Sequence, residues 1–252
     1  SNLHPLTALT PDTLLVVGGD RTLRVPQDIA ARFQPGDALV FVDGQDQLLL
    51  IPARERQIAE RAVSAALGAF RQLASVSDAQ VDDFYAHCAA ALEAEAVWAE
   101  IARVNREDVE DAKRRGRSTT RLVATDKMRR GMIDGLRGWA RTAGGRGRSV
   151  ERVEHGNWNV ELSTAPLGVV AFVFEGRPNV LADATGVLKS GNTVVFRIGR
   201  DALRTAREIM QRAVTPALAR AGLPADTVRL LESAEHAAGW ALFSDRRLAL
   251  AV

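Results

Sequence analysis

Between residue 169 and residue 252, short apolar runs alternate with helix-length segments, and this alternation constrains the fold more than any other feature. The run at 169–174 is apolar at every position, as expected for a parallel strand that is buried on both faces. Further runs begin at Thr193, Val228 and Leu248, with a helix-length segment before each. Strand and helix alternation at this spacing predicts an α/β fold with a doubly wound, Rossmann-like parallel sheet.

A helical segment precedes the predicted sheet. Between residues 53 and 143, apolar residues recur three and four positions apart, a pattern that predicts four amphipathic helices. Ser77 or Asp78 is suited to cap the second of these helices, and Asp126 is suited to cap the fourth. The glycine- and arginine-rich run at 144–148 predicts a flexible basic connector between the helices and the sheet.

The first part of the sequence differs from the rest, because it combines strand-forming residues with turn signals. Four short strand-forming runs lie between residues 14 and 52, and Asp43 followed by Gly44 marks a tight turn between the last two. We therefore divide the chain into a small β-rich module at residues 1–53 and a helical and α/β portion at residues 54–252.

Composition favours the cytoplasm over a secreted or membrane location. The single cysteine, Cys88, cannot form an internal disulfide, and its neighbours on the predicted helix indicate a core thiol. No apolar run approaches the roughly 18 residues of a membrane helix, and residues 1–5 do not begin a signal peptide. The four histidines are scattered without ligand spacing, so we expect no metal site.

Motifs in the predicted sheet region resemble those of a known family. An Arg-Pro-Asn-Val sequence ends at Val180 and a Lys-Ser-Gly-Asn sequence ends at Asn192. Related segments lie at 101–116, 166–170 and 182–184. Over roughly residues 58–252 the chain is therefore similar to the nucleotide-binding part of the gamma-glutamyl phosphate reductases, in the aldehyde dehydrogenase superfamily. This resemblance implies a variant nucleotide-binding mode, because no Gly-x-Gly-x-x-Gly sequence joins a strand to a helix.

The resemblance implies an activity and also a missing part. Enzymes of this family interconvert an acyl phosphate, such as glutamyl phosphate, and an aldehyde, with a cysteine nucleophile and a nicotinamide cofactor. The family's cysteine lies downstream in a second domain, and Cys88 precedes the nucleotide fold. We therefore expect the catalytic domain, with the nucleophile and the substrate pocket, to lie outside these 252 residues.

The resemblance also suggests one catalytic residue. A tetrahedral oxyanion needs positioned hydrogen-bond donors. In this family an asparagine side chain after the first strand supplies one, and Asn179 occupies the matching place. The alternative interpretation is that Asn179 caps the helix that follows Pro178.

The resemblance places the cofactor near the end of the second predicted strand. Arg197 matches a basic residue that contacts the adenosine ribose, and Arg200 stands where many relatives have an acidic residue. An arginine binds a 2′-phosphate in a forked geometry, which favours NADP over NAD. Arg200 also fits a solvated charge at a helix start. We assign Glu175 and Lys189 to the same cofactor site, although a loop carboxylate such as Glu175 can simply face water.

The module at residues 1–53 resembles a different family, the AbrB-type swapped-hairpin domains. The similar segments lie at 21–26, 28–29, 33–37 and 48–52. This resemblance implies an intertwined homodimer, and in some members DNA binding. Acidic residues offset the arginines of this module, which argues against a nucleic-acid partner.

Two alternatives to the acyl phosphate reductase remain open. The first is an acyl-CoA reductase, which would act on a thioester. The second is a non-catalytic dimeric regulatory or DNA-binding protein that retains the nucleotide fold. In each interpretation of the chain as an enzyme, its partner is a small acyl substrate, and no membrane is involved.

Overall fold

The computed structural model describes residues 4–252, so the first three residues of the segment that argued against a signal peptide lie outside it. The N-terminal module contains two antiparallel hairpins and a short helix. Its elements are β1 (Leu14–Val17), β2 (Arg21–Arg24), α1 (Gln27–Arg32), β3 (Ala38–Val42) and β4 (Gln47–Ile51). The predicted turn at Asp43 joins β3 to β4, and Gly44 there has a φ of +83°, which favours glycine.

The module shares its packing with the rest of the chain. Leu48 and Leu50 of β4 contact Val25 and Ile29 in a small core of the module. Ile51, at the end of β4, instead belongs to the core that contains the parallel sheet. The predicted boundary near residue 53 therefore falls just after β4. The module on one side of it nevertheless packs against the helical and α/β portion through Ile51.

Four helices follow the module, as predicted. They are α2 (Ala53–Leu73), α3 (Asp78–Glu93), α4 (Glu95–Arg114) and α5 (Asp126–Arg141). Ser77 caps α3 in a reciprocal capping box with Gln80, with hydrogen bonds of 3.2 and 3.0 Å. The prediction that Asp126 caps α5 was wrong by one residue. Thr125 accepts the N–H of Met128 at 3.2 Å, and Asp126 already has its place in the first turn.

The connector at 144–148 was predicted to be flexible, and the structure shows it anchored. Arg146 pairs with Asp78 at 2.5 Å and donates to the Leu73 carbonyl at 3.2 Å. The exposed hairpin of β5 (Ser149–His155) and β6 (Trp158–Ser163) follows the connector.

The remaining elements form the predicted doubly wound sheet. They are β7 (Val169–Val173), α6 (Val180–Thr185), β8 (Thr193–Arg197), α7 (Leu203–Ile209), α8 (Thr215–Arg220), β9 (Val228–Leu230), α9 (His236–Phe243) and β10 (Leu250–Ala251). A 3₁₀ turn extends α6, and a π-helical turn joins α7 to α8. The strand order is β10-β7-β8-β9, and all neighbours are parallel. This is the order of a nucleotide-binding half sheet.

Helices cover both faces of the sheet. On one face, α6 to α8 pack with α3 to α5 around a large apolar core. On the other face lie α2 and α9. The Tyr85 hydroxyl donates to the Thr185 carbonyl at 2.7 Å and so joins α3 to α6. Cys88 is fully buried beside it, and burial raises the pKa of its thiol to about 12, which confirms the predicted core role.

Candidate functional site at the carboxyl ends of the parallel strands

The strand order determines where a ligand can bind. The chain continues from β7 to β8 on one side, and β10 lies on the other side, so the direction of winding reverses at β7. In sheets of this kind, ligands bind in the crevice outside the carboxyl ends of the strands at the reversal. The residues that follow β7 and β8 are therefore the candidate site.

The loops after β7 and β8 lie in direct contact. The Phe174 N–H donates to the Arg197 carbonyl at 2.9 Å, which continues the ladder by one step. A side-chain carbon at Gly199 would lie 2.9 Å from the Gly176 nitrogen, closer than side-chain carbons normally approach. Gly199 is therefore required for the two loops to approach, and this contact fixes the start of both crossovers.

Several polar side-chain atoms at these strand ends are buried without a hydrogen-bond partner among the described residues. They are Nε of Arg177, Oδ1 of Asn179 and Nε of Arg197. Three other such atoms occur elsewhere in residues 4–252, on Glu55, Arg56 and Thr227. Buried polar groups are normally satisfied, so a cluster of exceptions at the ligand-binding edge is typical of a site that a ligand completes.

Arg197 is the last residue of β8, and its side chain is held inside the fold. The residue is 5% exposed, and its guanidinium makes one long hydrogen bond, from Nη2 to the Ala234 carbonyl at 3.5 Å. Burial lowers the pKa of Arg197, and the charge of Glu235 partly opposes this effect. The guanidinium is therefore a positive charge with unused donors at the strand end.

Arg200 lies three residues further, at the start of a 3₁₀ turn. Its Nη2 atom pairs with Oε1 of Glu235 at 2.6 Å, and both side chains are about half exposed. Glu235 lies in the connection between β9 and α9. Sequence analysis did not identify Glu235, because its contact with Arg200 spans 35 residues and has no local pattern.

Arginines of the loop after α4 form the outer rim. Arg121 lies 3.4 Å from the carboxylate of Glu175, and both side chains are largely exposed. Arg115 and Arg117 lie 3.0 and 3.7 Å from the carboxylate of Asp201. Glu175 is thus a water-facing loop carboxylate on the rim of the site, with an arginine beside it.

A buried polar network supports the loop that carries Arg200. The Asp108 carboxylate accepts the backbone N–H and the hydroxyl of Thr205 at 2.9 and 2.7 Å, and Nε of Arg204 at 2.7 Å. Asn105 donates to Leu122 and to Thr205 at 2.9 and 3.2 Å. These contacts join α4 to the start of α7, so the helical layer positions the second crossover.

Comparison with known proteins identifies the relatives of this chain. A gamma-glutamyl phosphate reductase of Erwinia tasmaniensis is 34% identical over 183 residues, which are 70% of this chain and 43% of that enzyme. The chain is a homologue of gamma-glutamyl phosphate reductase. It spans less than half the length of the curated relatives that it matches. No protein-family model matches the chain.

Solved structures agree on the fold. The gamma-glutamyl phosphate reductase of Thermotoga maritima superimposes with a TM-score of 0.71 at 24% identity, over 77% of this chain and 47% of that one. An engineered glycolyl-CoA reductase with bound NADP⁺ gives a TM-score of 0.56 at 17% identity, over 77% of this chain and 41% of that one. The sheet therefore has the aldehyde dehydrogenase fold.

In this gamma-glutamyl phosphate reductase homologue, Asn179 does not cap a helix. The residue occupies the N-cap position of α6, but its side chain makes no capping hydrogen bond. The amide oxygen is buried without a partner among the described residues. The missing side-chain hydrogen bond argues against the capping alternative.

The structure separates Lys189 from the other predicted cofactor residues. Lys189 precedes β8 and lies at the amino end of that strand, whereas Arg197 and Arg200 follow its carboxyl end. Its buried ammonium pairs with Asp82 of α3 at 2.5 Å. We therefore correct the predicted cofactor role of Lys189. Its ammonium group has a carboxylate partner in the fold, and the whole length of β8 lies between it and the ligand-binding edge.

Among residues 4–252, no group of three or more histidine, cysteine, aspartate or glutamate side chains is arranged to hold a metal ion. Within the same range, no helix is both long and apolar enough to cross a membrane.

Proposed function

We propose that this chain is the NADP-binding portion of a reductase that interconverts an acyl phosphate, similar to glutamyl phosphate, and an aldehyde. The observation that carries the proposal is the homology to gamma-glutamyl phosphate reductase across the nucleotide-binding sheet. The two arginines at the end of β8 support the cofactor assignment, because they offer forked donors at the ligand-binding edge.

The residues at the strand ends fit a phosphate-bearing nucleotide. Arg197 supplies a buried guanidinium with an unused Nε donor, which suits a ribose or phosphate oxygen. Arg200 is exposed enough to exchange its present partner for a 2′-phosphate. A bound nicotinamide would supply or accept the hydride. The role of Arg197 and Arg200 is to hold the adenosine end of the cofactor.

Asn179 is proposed to act on the acyl group. Its side-chain amide offers an N–H donor near the end of β7, with no hydrogen bond to the protein to break first. A donor that is already placed stabilises a developing oxyanion without reorganisation at the moment of reaction. The nucleophile would come from the catalytic domain that we expect outside these residues.

A nucleotide titration tests this function. Trp240 on α9 is partly exposed and follows Gly239, at which a side-chain carbon would lie 3.6 Å from Cδ of Arg197. Bound nucleotide should therefore quench tryptophan fluorescence. We expect NADPH to bind at least about threefold tighter than NADH, and Arg200→Gln to remove this preference. Failure of the chain to bind either nucleotide would contradict the proposal.

We also propose that the N-terminal module dimerises the chain. In β1, Leu14 and Val16 are 56% and 72% exposed, and each hairpin of the module is a separate two-stranded sheet. Two-stranded sheets are marginal alone in water, and a second copy would supply the missing neighbours. Arg21 and Arg32 pair with Asp43 and Asp28, at 2.9 and 3.0 Å, so the module offers little free positive charge to DNA.

Light scattering tests the proposed dimer. We expect the chain to have twice its monomer mass, and Val16→Lys to shift it to the monomer. Val160→Lys is the matched control, because Val160 is also an exposed valine in a β-strand and lies on the separate β5–β6 hairpin. A monomeric wild-type chain would refute this role, and a monomeric Val160→Lys variant would transfer it to that hairpin.

A further inference from the structure

Glu235 is an acidic residue between β9 and α9, and its carboxylate reaches Arg200, which follows β8. It follows β9 in the turn that enters α9. Its backbone N–H donates to the hydroxyl of Ser233 at 3.1 Å, and Ser233 is buried, so the turn has a defined position. The carboxylate then meets the guanidinium of Arg200 at 2.6 Å.

The same turn also faces Arg197. The carbonyl of Ala234 accepts the hydrogen bond from Arg197, and the Glu235 charge raises the pKa of that arginine against the effect of burial. Among the described residues, Arg200 has no other ion pair, and Arg197 has none within 4 Å. Glu235 is therefore the counter-charge that the fold itself supplies to both arginines.

A ligand phosphate and the Glu235 carboxylate would compete for the same donors. Both are anions that accept forked hydrogen bonds from a guanidinium, and like charges repel when they share one site. The ion pair is about half exposed, so it is weak enough for a ligand to displace. A ribose with free hydroxyls needs no displacement, because its 2′-hydroxyl can donate to a carboxylate.

We propose that Glu235 determines cofactor specificity by occupying, in the free protein, the place of the 2′-phosphate on Arg200. This inference rests on the proposed binding of the cofactor at Arg197 and Arg200. Its consequence is a moderate preference for NADPH, since the carboxylate weakens the phosphate-bearing nucleotide and leaves a place for NADH.

The test compares two nucleotides that differ by one phosphate, adenosine 2′,5′-bisphosphate and AMP, on the 252-residue chain. Glu235→Gln keeps the shape of the side chain and removes its charge. We expect it to bind the bisphosphate about fivefold tighter at low salt, with AMP unchanged or weaker. The matched control is Glu232→Gln. Glu232 lies in the same connection between β9 and α9, but its exposed carboxylate pairs with Arg207 instead of Arg200. The control should change neither affinity.

A second background separates competition for Arg200 from a general change in charge. In an Arg200→Gln chain, Glu235→Gln should no longer improve bisphosphate binding, because the contested donor is gone. Three results would overturn the inference: equal effects of Glu235→Gln and Glu232→Gln, equal tightening of AMP and bisphosphate, or a gain that persists without Arg200. If the wild-type chain binds neither NADPH nor NADH, the proposed function fails first and this inference fails with it.

Discussion

The amino and carboxyl ends of β7 and β8 are built on opposite principles. At the amino ends, Asn192 accepts the N–H groups of Leu167 and Gly168 at 2.7 and 2.9 Å, and Lys189 has its carboxylate partner in Asp82. At the carboxyl ends, Asn179 and Arg197 keep buried polar atoms without a partner among the described residues. An asparagine and a basic residue thus stabilise the fold at the amino ends, whereas an asparagine and a basic residue are available to a ligand at the carboxyl ends.

The difference between the two ends shows that the hydrogen-bond partners of a buried polar residue indicate whether it stabilises the fold or binds a ligand. A buried amide with all its partners contributes to stability, since its removal leaves buried donors unpaired. A buried polar atom without a partner lowers stability unless a ligand completes it, as functional sites commonly do. Substitutions at the two ends should therefore change stability and binding in different proportions.

The largest expected change in stability is at the amino end. Asn192→Ala removes the acceptor of the buried Gly168 N–H and of the partly buried Leu167 N–H, so we expect the free energy of unfolding to fall by about 3 kcal/mol. Denaturant unfolding followed by circular dichroism measures it. The control Asn159→Ala, on the exposed strand β6, should stay within about 0.5 kcal/mol of wild type. A small effect at Asn192 would remove the contrast between the ends.

At the carboxyl end, Arg197→Met should separate stability from binding. The substitution replaces a buried charge that has no ion-pair partner within 4 Å by an apolar chain of similar length, so we expect the free energy of unfolding to rise by about 1 kcal/mol. NADPH binding should weaken by about tenfold or more, because a charge-assisted contact is lost. Thermal unfolding and the fluorescence titration give the two results. A destabilised variant with unchanged binding would assign Arg197 to the fold alone.

Lys189→Met tests the correction to the cofactor site. The apolar stem remains buried while the ion pair with half-exposed Asp82 is lost, so we expect the free energy of unfolding to fall by about 1 kcal/mol. NADPH affinity should be that of the wild type, because Lys189 lies at the far end of β8. Weaker NADPH binding by this variant at a temperature where it is fully folded would restore the original assignment.

The smallest change in stability is expected at Asn179, which makes a direct comparison with Asn192. Its side chain makes no capping hydrogen bond, its amide oxygen has no partner and the residue is only partly buried, so Asn179→Ala should leave the free energy of unfolding unchanged or raise it by less than about 0.5 kcal/mol. The same denaturant experiment measures it. A loss as large as that of Asn192→Ala would show that Asn179 supports the fold after all.

Local patterns in the sequence are enough to predict the parts of this protein that depend on neighbours in the chain. The uniformly apolar run of β7, the start of α3 at Ser77 or Asp78 and the glycine turn after Asp43 could each be predicted from local sequence, through burial, capping and backbone geometry. The order of the elements and the arginines that end β8 also follow from the sequence. So does the core position of Cys88, because helical spacing places it beside apolar residues.

The partner of each polar group, in contrast, depends on how distant parts of the chain pack together. Lys189 finds Asp82 across 107 residues, Arg200 finds Glu235 across 35, and Arg146 turns a glycine-rich connector into an anchored segment by reaching Asp78 across 68. Periodicity and turn signals report interactions within a few residues of chain, and they carry no information on which distant charge arrives at a strand end. Packing of the helical layer against the sheet supplies that information, so the difference between the two strand ends appears only in the folded chain.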